Sequence, residues 1–311
     1  MADGYTDIPQ NMSAIAPYVT VDRKTITEQI LNHERCFFYD ACSFQRHANL
    51  KPGDAEYLLR YIRFKDEVVI ITRCILMELA ARKGVLDQRY VKYIKHVKDA
   101  GIMILIIYEE DLFSIMETCF STNIVINQYL SWAVRMAAGP VSTITEMLEE
   151  NQIIYNQLIR GRNLNQKNVY QCFFKTMREK KESGDNLGEE LLAVCLHILS
   201  HIPGEKDGKF CVITDDKGAA SKIDLLLKKT AKQYKGKKVI IFSTPKFVQT
   251  LYRENILREK DKIEAILKTG VSGNIKILGM RIFDLRRKEI SMSVSELTDY
   301  IMQPDGIHII F

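Results

Sequence analysis

The sequence reads as an α/β protein built around a parallel sheet. Three observations carry that reading. Short apolar runs recur along the chain: "RCFFYD", the β-branched start of "DEVVIITRCILMELAARKG", "IMILIIY", "KFCVIT" and "KKVIIFS". They lack the polar alternation of a half-exposed strand, as expected of strands covered on both faces. Segments of helical period separate them, and strands alternating with helices imply a parallel sheet flanked by helices.

Taken in order, residues 1–23 hold Gly4, Pro9 and Pro17 and read as an irregular lead-in before a short amphipathic helix over 24–34. "RCFFYD" is the first strand. "GDAEYLLRYIRF" has helical spacing, with Leu58, Leu59 and Ile62 on one face. The "DEVVII" run passes directly into a helix that ends near Gly84, and a further helix over 87–100 stops before Gly101. "IMILIIY", 102–108, is a fully buried strand by its length and flanks.

From about 110 to 184 only helical patterns appear, broken at "AAGP" and "RGRNLNQ". "ESGDNLG" is a polar loop, and "EELLAVCLHILSHI" a helix closed by Pro203 and Gly204. "KFCVIT" and "KKVIIFS" are strands on either side of the helix "KGAASKIDLLLKKTAKQYKG". "TPKFVQTLYREN" is a helix with proline in its first turn. The end changes character: "NIKILGMRIFDLRRKEISMSV" reads as a strand pair, "SELTDY" as a short helix and "GIHIIF" as a last strand.

The 311 residues, 46% hydrophobic and 27% charged, fit a soluble globular protein of roughly one to two domains. A net charge of +5 is compatible with a polyanionic partner without requiring one. Seven cysteines form no CxxC pair and read as reduced, buried thiols, which points to the cytoplasm. No basic start followed by an apolar stretch marks a secretory leader. "GIMILIIY" falls well short of the ~20 residues that span a membrane.

Ligands of open parallel sheets bind beyond the carboxyl ends of the strands. "FFYD" brings Asp40 there and "CVITDD" brings Asp215 and Asp216. Glu78 is a charge within the apolar "ITRCILMELA", and Glu189 and Glu190 open "GEELLAVCL". Carboxylates converging from separate segments can hold hard divalent cations, which polarise phosphates and acidify water.

The set "FFYDAC", "ITRCILMEL", "GEELLAV" and "CVITDDKGAA", in that order, resembles a PIN domain, a family of metal-dependent nucleases acting mainly on RNA. The resemblance covers roughly 36–112 and 185–255. It implies a PIN-like three-layer fold, and it implies Asp40, Glu78, Glu189 and Asp216 as ligands of Mg²⁺ or Mn²⁺, with Asp215 a further acid of the catalytic set. The expected substrate is RNA, possibly single-stranded nucleic acid more generally. Two features depart from the family pattern. About a hundred residues separate Glu78 from Glu189, so 112–184 reads as an inserted helical block. Cys42 stands where many members carry Ser or Asn. The chain then divides into a lead-in and helix (1–35), a PIN-like nuclease domain with its helical insertion (36–258), and a C-terminal α+β extension (259–311). The insertion and the extension offer surfaces to a protein partner or a second copy.

Each acid also has a plain structural reading. Asp40 is placed to cap a helix, and Glu78 to lie on a wet helix face. Asn186 and Glu189 have the spacing of a capping box, and Asp215 and Asp216 suit a helix N-terminus. The coincidence of all of them at one sheet edge favours a shared site. His197 and His201, four apart, lack a third zinc ligand, and both suit a helix C-terminus. Lys228, Lys229, Lys232, Lys235, Lys237 and Lys238 either contact phosphates or form a solvated face. The competing functional class is a PIN-like scaffold without activity that binds RNA or protein.

Overall fold

A computed structural model describes residues 5–65, 68–81, 83–138, 142–282 and 284–311. Gly4, the start of the "DEVVII" run and part of the "AAGP" break lie outside these residues. The lead-in makes two short 3-10 turns, Met12–Ala14 and Ala16–Tyr18, and Thr20 then pairs in parallel with Leu105. Helix α1 (Arg23–Asn32) starts at Asp22, whose carboxylate accepts the Thr25 N–H. Strand β1 (Cys36–Tyr39) leads into α2 (Ala41–Ala48), which the sequence reading omits. The eight residues "ACSFQRHA" are too few for a clear period, and their helix is fixed by burial of Ala41, Phe44 and His47.

Next come α3 (Pro52–Lys65), β2 (Val68–Thr72), α4 (Arg73–Ala80), α5 (Gln88–Asp99) and β3 (Met103–Ile107). The helical block comprises α6 (Leu112–Glu117), α7 (Asn123–Ala137), α8 (Thr143–Glu150), α9 (Gln152–Leu158) and α10 (Val169–Glu179). Then follow α11 (Leu187–Leu199), β4 (Phe210–Ile213), α12 (Lys217–Tyr234), β5 (Ile240–Phe242) and α13 (Thr244–Arg253). The chain closes with α14 (Lys260–Lys268), β6 (Ile275–Arg281), β7 (Lys288–Met292), α15 (Val294–Met302) and β8 (Ile307–Ile309).

The five strands β3-β2-β1-β4-β5 form one parallel sheet. The chain builds outward from β1 to β3, then returns to the other side of β1 for β4 and β5. The connections leaving β1 and β4 therefore diverge, and a crevice opens beyond their carboxyl ends. Alternate residues feed two cores. Phe37, Tyr39, Val69, Ile71 and Ile213 pack with α2, α3, α5 and α13. Phe38, Val68, Ile70, Leu105 and Val212 pack with α1, the helical block, α11 and α12.

The terminal elements make a second, antiparallel sheet in the order β7-β6-β8. Ile263, Ile266, Ile277, Ile290 and Leu297 share the first core, so this element packs against that face of the fold. A capping box at Ser293 and Glu296 starts α15. The helical block is tied to the end of β3 by Arg178 of α10. This guanidinium, 4% exposed, donates to Glu109 at 2.6 Å, Glu110 at 2.6 and 2.7 Å and Asp7 at 3.0 Å.

All seven cysteines are free, but only Cys36, Cys74, Cys195 and Cys211 are buried; Cys42 and Cys172, on α2 and α10, and Cys119, in the turn after α6, are half-buried. Among the described residues no helix is long and apolar enough to cross a membrane.

Candidate functional site

Asp40 sits at the crevice because β1 ends one residue before it. It occupies the N-cap position of α2, yet its carboxylate does more than cap. Oδ1 accepts the Ala41 N–H at 2.8 Å, while Oδ2 accepts from the Cys42 thiol at 2.8 Å and the Thr214 hydroxyl at 2.9 Å. Burial raises the Asp40 carboxyl above its usual range, and these three bonds only partly offset it. Cys42, in the position where a serine or asparagine was the expected support, serves as the donor instead. Burial and the neighbouring Asp40 push its thiol up, which keeps the proton on sulfur.

Glu78 projects from α4 toward the start of α11. Contact is close: a Cβ on Gly188 would lie 2.3 Å from Glu78 Oε1. Burial raises the Glu78 carboxyl, opposed by the Lys181 ammonium 2.9 Å away. Glu189 follows Gly188 on α11. Its carboxyl is pushed up to about 8, first by burial and then by the charges of Asp216, Asp40 and Glu78, with Lys222 acting the other way.

Asp40, Glu78 and Glu189 line one cleft of about 270 Å³, together with Tyr5, Gln45, Lys181 and Asp185. Asp216 is exposed beside it and caps α12, accepting the Ala219 N–H at 3.0 Å. It reaches the others through its charge, which raises both Asp40 and Glu189. The Thr214 hydroxyl steadies the turn by accepting the Asp216 N–H at 3.1 Å.

Asp215 is placed differently from the expectation that it stands beside the other acids. Its oxygens accept the Thr244 N–H at 2.7 Å, the Thr244 hydroxyl at 2.6 Å and the Ser43 hydroxyl at 3.0 Å, and Arg46 lies 3.2 Å away. Burial opposes its ionisation, but Arg46, His47 and Thr244 outweigh it and hold the carboxyl below its usual range. Behind it, buried His47 bridges the Thr244 hydroxyl at 2.9 Å and the Tyr39 hydroxyl at 3.0 Å. Thr244 already donates to Asp215, so His47 Nε2 carries the proton toward Thr244 and Nδ1 accepts from Tyr39. The carboxylate of Asp215 thus fastens β4, α2 and α13 together.

Lys181 and Asp185 are the residues the sequence reading missed. They lie in and beside "ESGDNLG", where every residue type is ordinary for a solvated loop. The signal available was the spacing: the loop ends at Gly188, next to a predicted site acid.

His197 and His201 join an aromatic cluster with Tyr129, Trp132 and Tyr234, and burial pushes both rings down, as packed neutral histidines require. Of the lysines on α12, Lys228 pairs with Asp224.

Oxygen-only donors are the right chemistry for Mg²⁺ or Mn²⁺. The Glu189 carboxyl is held up to about 8 first by burial and then by its acidic neighbours, and the second of these causes is negative charge that a cation would relieve. Among the described residues, however, no three His, Cys, Asp or Glu side chains are gathered to hold a metal ion. No family model matches the chain, and no curated protein and no solved structure matches it.

Two expected outcomes follow from this geometry. Gly188→Ala puts a methyl against Glu78 and displaces it from Lys181, with a cost of ~1–3 kcal/mol of overpacking. Gly53→Ala, where nothing lies within 4 Å of the added carbon, serves as the control and should not lose stability. Urea melts of both variants check this. The second concerns pH in the presence of chelator. Glu189 binds its proton more tightly folded than unfolded, so its contribution to stability is complete below the ordinary carboxylate range and is lost as pH rises through about 8. Glu189→Gln should therefore melt above wild type at pH 9 by more than it does at pH 4. An equal difference at both pH values would show that the carboxyl is not under this strain.

Proposed function

We propose that the chain is a metal-dependent ribonuclease of PIN type, hydrolysing phosphodiester bonds of RNA with Mg²⁺ or Mn²⁺. The observation that carries the reading is the convergence of Asp40, Glu78 and Glu189, from three distant segments, on one cleft at the carboxyl edge of a parallel sheet. Asp40, Glu189 and Asp216 would hold the cation, with Glu78 beside them. When bound, the cation supplies positive charge against a phosphodiester and acidifies the attacking water. The chain's own groups set the stage: Thr214 and Cys42 fix the Asp40 carboxylate, and Gly188 lets α11 carry Glu189 up to Glu78. Seven free thiols suit a reducing, cytoplasmic setting. The helical block and the C-terminal sheet are the surfaces proposed for a protein partner or a second copy.

A specific observation favours a second reading, an inactive PIN-like scaffold that binds RNA or protein. Lys181 already pairs with Glu78, and no ligand trio is gathered among the described residues. Incubating the purified chain with labelled single-stranded and structured RNA, in Mg²⁺, Mn²⁺ or chelator, separates the two. Cleavage that chelator stops supports the nuclease; RNA binding without cleavage in any metal supports the scaffold.

A further inference from the structure

The far end of α12 gathers two kinds of group that the acidic cleft does not use. The first is aromatic. Trp132 of α7 stacks on Tyr234, with ring centres 4.4 Å apart and planes 18° from parallel. Tyr129 lies 4.6 Å from His201 and 5.1 Å from Phe120, extending the cluster. All five rings are half-buried, so part of each meets solvent. Rings serving only as core are covered, as Phe173 and Phe174 of α10 are.

The second kind is cationic. Lys229, Lys232, Lys235, Lys237 and Lys238 are exposed, and none forms an ion pair among the described residues. Acids close by are engaged: Asp224 with Lys228, Glu205 with Lys209, and Asp207 with the Lys238 N–H at 2.9 Å. A helix C-terminus accounts for Lys232, but Lys237 and Lys238 lie beyond it. The fold brings both kinds together. Tyr234 ends α12, Lys235 turns the chain with a φ of 57°, and the Lys237 N–H donates to the Ser200 carbonyl at 2.9 Å, beside His201.

We propose that this end of α12, Trp132 and Tyr234 with the lysines around them, is a contact site for single-stranded RNA, separate from the acidic cleft. Unpaired bases stack on exposed aromatic surface whatever their sequence, and phosphates take the ammonium groups. Lysines are point charges without a fixed fork, which suits contact with the backbone rather than reading of bases. A duplex keeps its bases stacked on one another and gives the rings nothing. An acidic protein segment would meet the lysines but make no use of the planar stack. Helix α12 starts beside the cleft at Asp216 and, over 18 residues, carries this site ~27 Å away from it. The proposal rests on the RNA reading of the chain, and it needs neither metal nor cleavage.

The experiment uses the full chain in chelator with single-stranded RNA of mixed sequence. Trp132 is the one tryptophan of the chain, so its emission reports this site, while the anisotropy of labelled RNA reports binding anywhere. Unlabelled single-stranded RNA should quench Trp132, and a duplex of the same sequence should not. Lys232→Glu, Lys235→Glu and Lys237→Glu together should weaken binding at least ~10-fold at low salt and flatten the log–log salt slope by about 2. The control reverses Lys92, Lys95 and Lys98 to Glu on α5, which packs on the opposite face of the sheet, and should keep most of the affinity and slope. Tyr234→Leu should weaken binding ~5- to 150-fold, the range that one stacked base contributes. If that variant does not fold, the three exposed lysines still decide. Equal losses from both charge reversals, or RNA that binds without altering Trp132 emission, overturns the site and leaves the proposed function standing. Equal quenching by duplex overturns the stacking, and equal quenching by poly-glutamate overturns RNA in favour of an acidic protein. A wild type that binds no RNA at low salt removes the RNA reading, and this site with it.

Discussion

Asp40→Asn is expected to lower RNA cleavage at least ~100-fold, the scale on which one electrostatic group acts in a preorganised site. The fold should survive. The amide oxygen can keep the bond from Ala41 N, while the amide nitrogen that replaces Oδ2 cannot accept, so the bonds from Cys42 and Thr214 are lost as donated, at about 1 kcal/mol for a bond of this kind. Losing the charge also relieves Glu189 and Glu78, whose carboxyls Asp40 helps to raise. The two effects oppose each other, so melting should move by no more than about 2–4 °C. Wild type and variant are compared on the same RNA, in each metal and in chelator. Equal cleavage by both would reduce Asp40 to a helix cap.

Arg178→Met should produce the largest loss of stability. It strands Glu109, which is fully buried, with backbone N–H groups, that of Cys74 at 2.8 Å and its own, in place of a counter-charge. Breaking a buried ion pair by removing one partner costs about 3–5 kcal/mol. Burial already lifts the Glu109 carboxyl, and Arg178 is the chief force opposing it. Without Arg178 the folded chain holds that proton more tightly than the unfolded chain does. The variant therefore loses stability as pH rises from the ordinary carboxylate range upward, and its deficit shrinks in acid. Urea melts at pH 5 and pH 8 read this directly. Adding Glu109→Gln to Arg178→Met should recover much of the loss; a deficit that is unaltered by pH and by the second change would place its origin elsewhere.

The strands were legible because a parallel sheet writes them as uninterrupted apolar runs, as in "CFFY" and "VVIIT". The acids were legible for a related reason: Asp40 and Asp216 stand where strands give way to helices, and Glu78 interrupts an apolar helix. Short elements whose identity depends on what covers them were not. Helix α2 is fixed by burial against the first core, which no local pattern announces, whereas α14 does carry the helical spacing of Ile263, Ile266 and Leu267 that the sequence reading passes over. Asp215 and Asp216 are neighbours of one type, and only the arrival of Arg46 and Thr244 from other segments decides that one of them is tied down. Lys181 is one lysine in "REKKES", distinguished from its neighbours solely by meeting Glu78, about a hundred residues earlier in the chain.

The seam between β1 and β4 also has a bearing on how the chain folds. The bond from Thr214 to Asp40 spans 174 positions, so β1 must wait for most of the chain before its second neighbour arrives. During synthesis, β1 to β3 can assemble while one side of β1 is still an open edge, a run of apolar backbone able to recruit another strand. Contacts this distant in sequence form slowly, because the loop must close before any pairing is gained. Docking of β4 covers the open side of β1 and closes the acidic cleft in the same event, before β5 adds the last strand, so the chain's folding bottleneck and the birth of its site coincide.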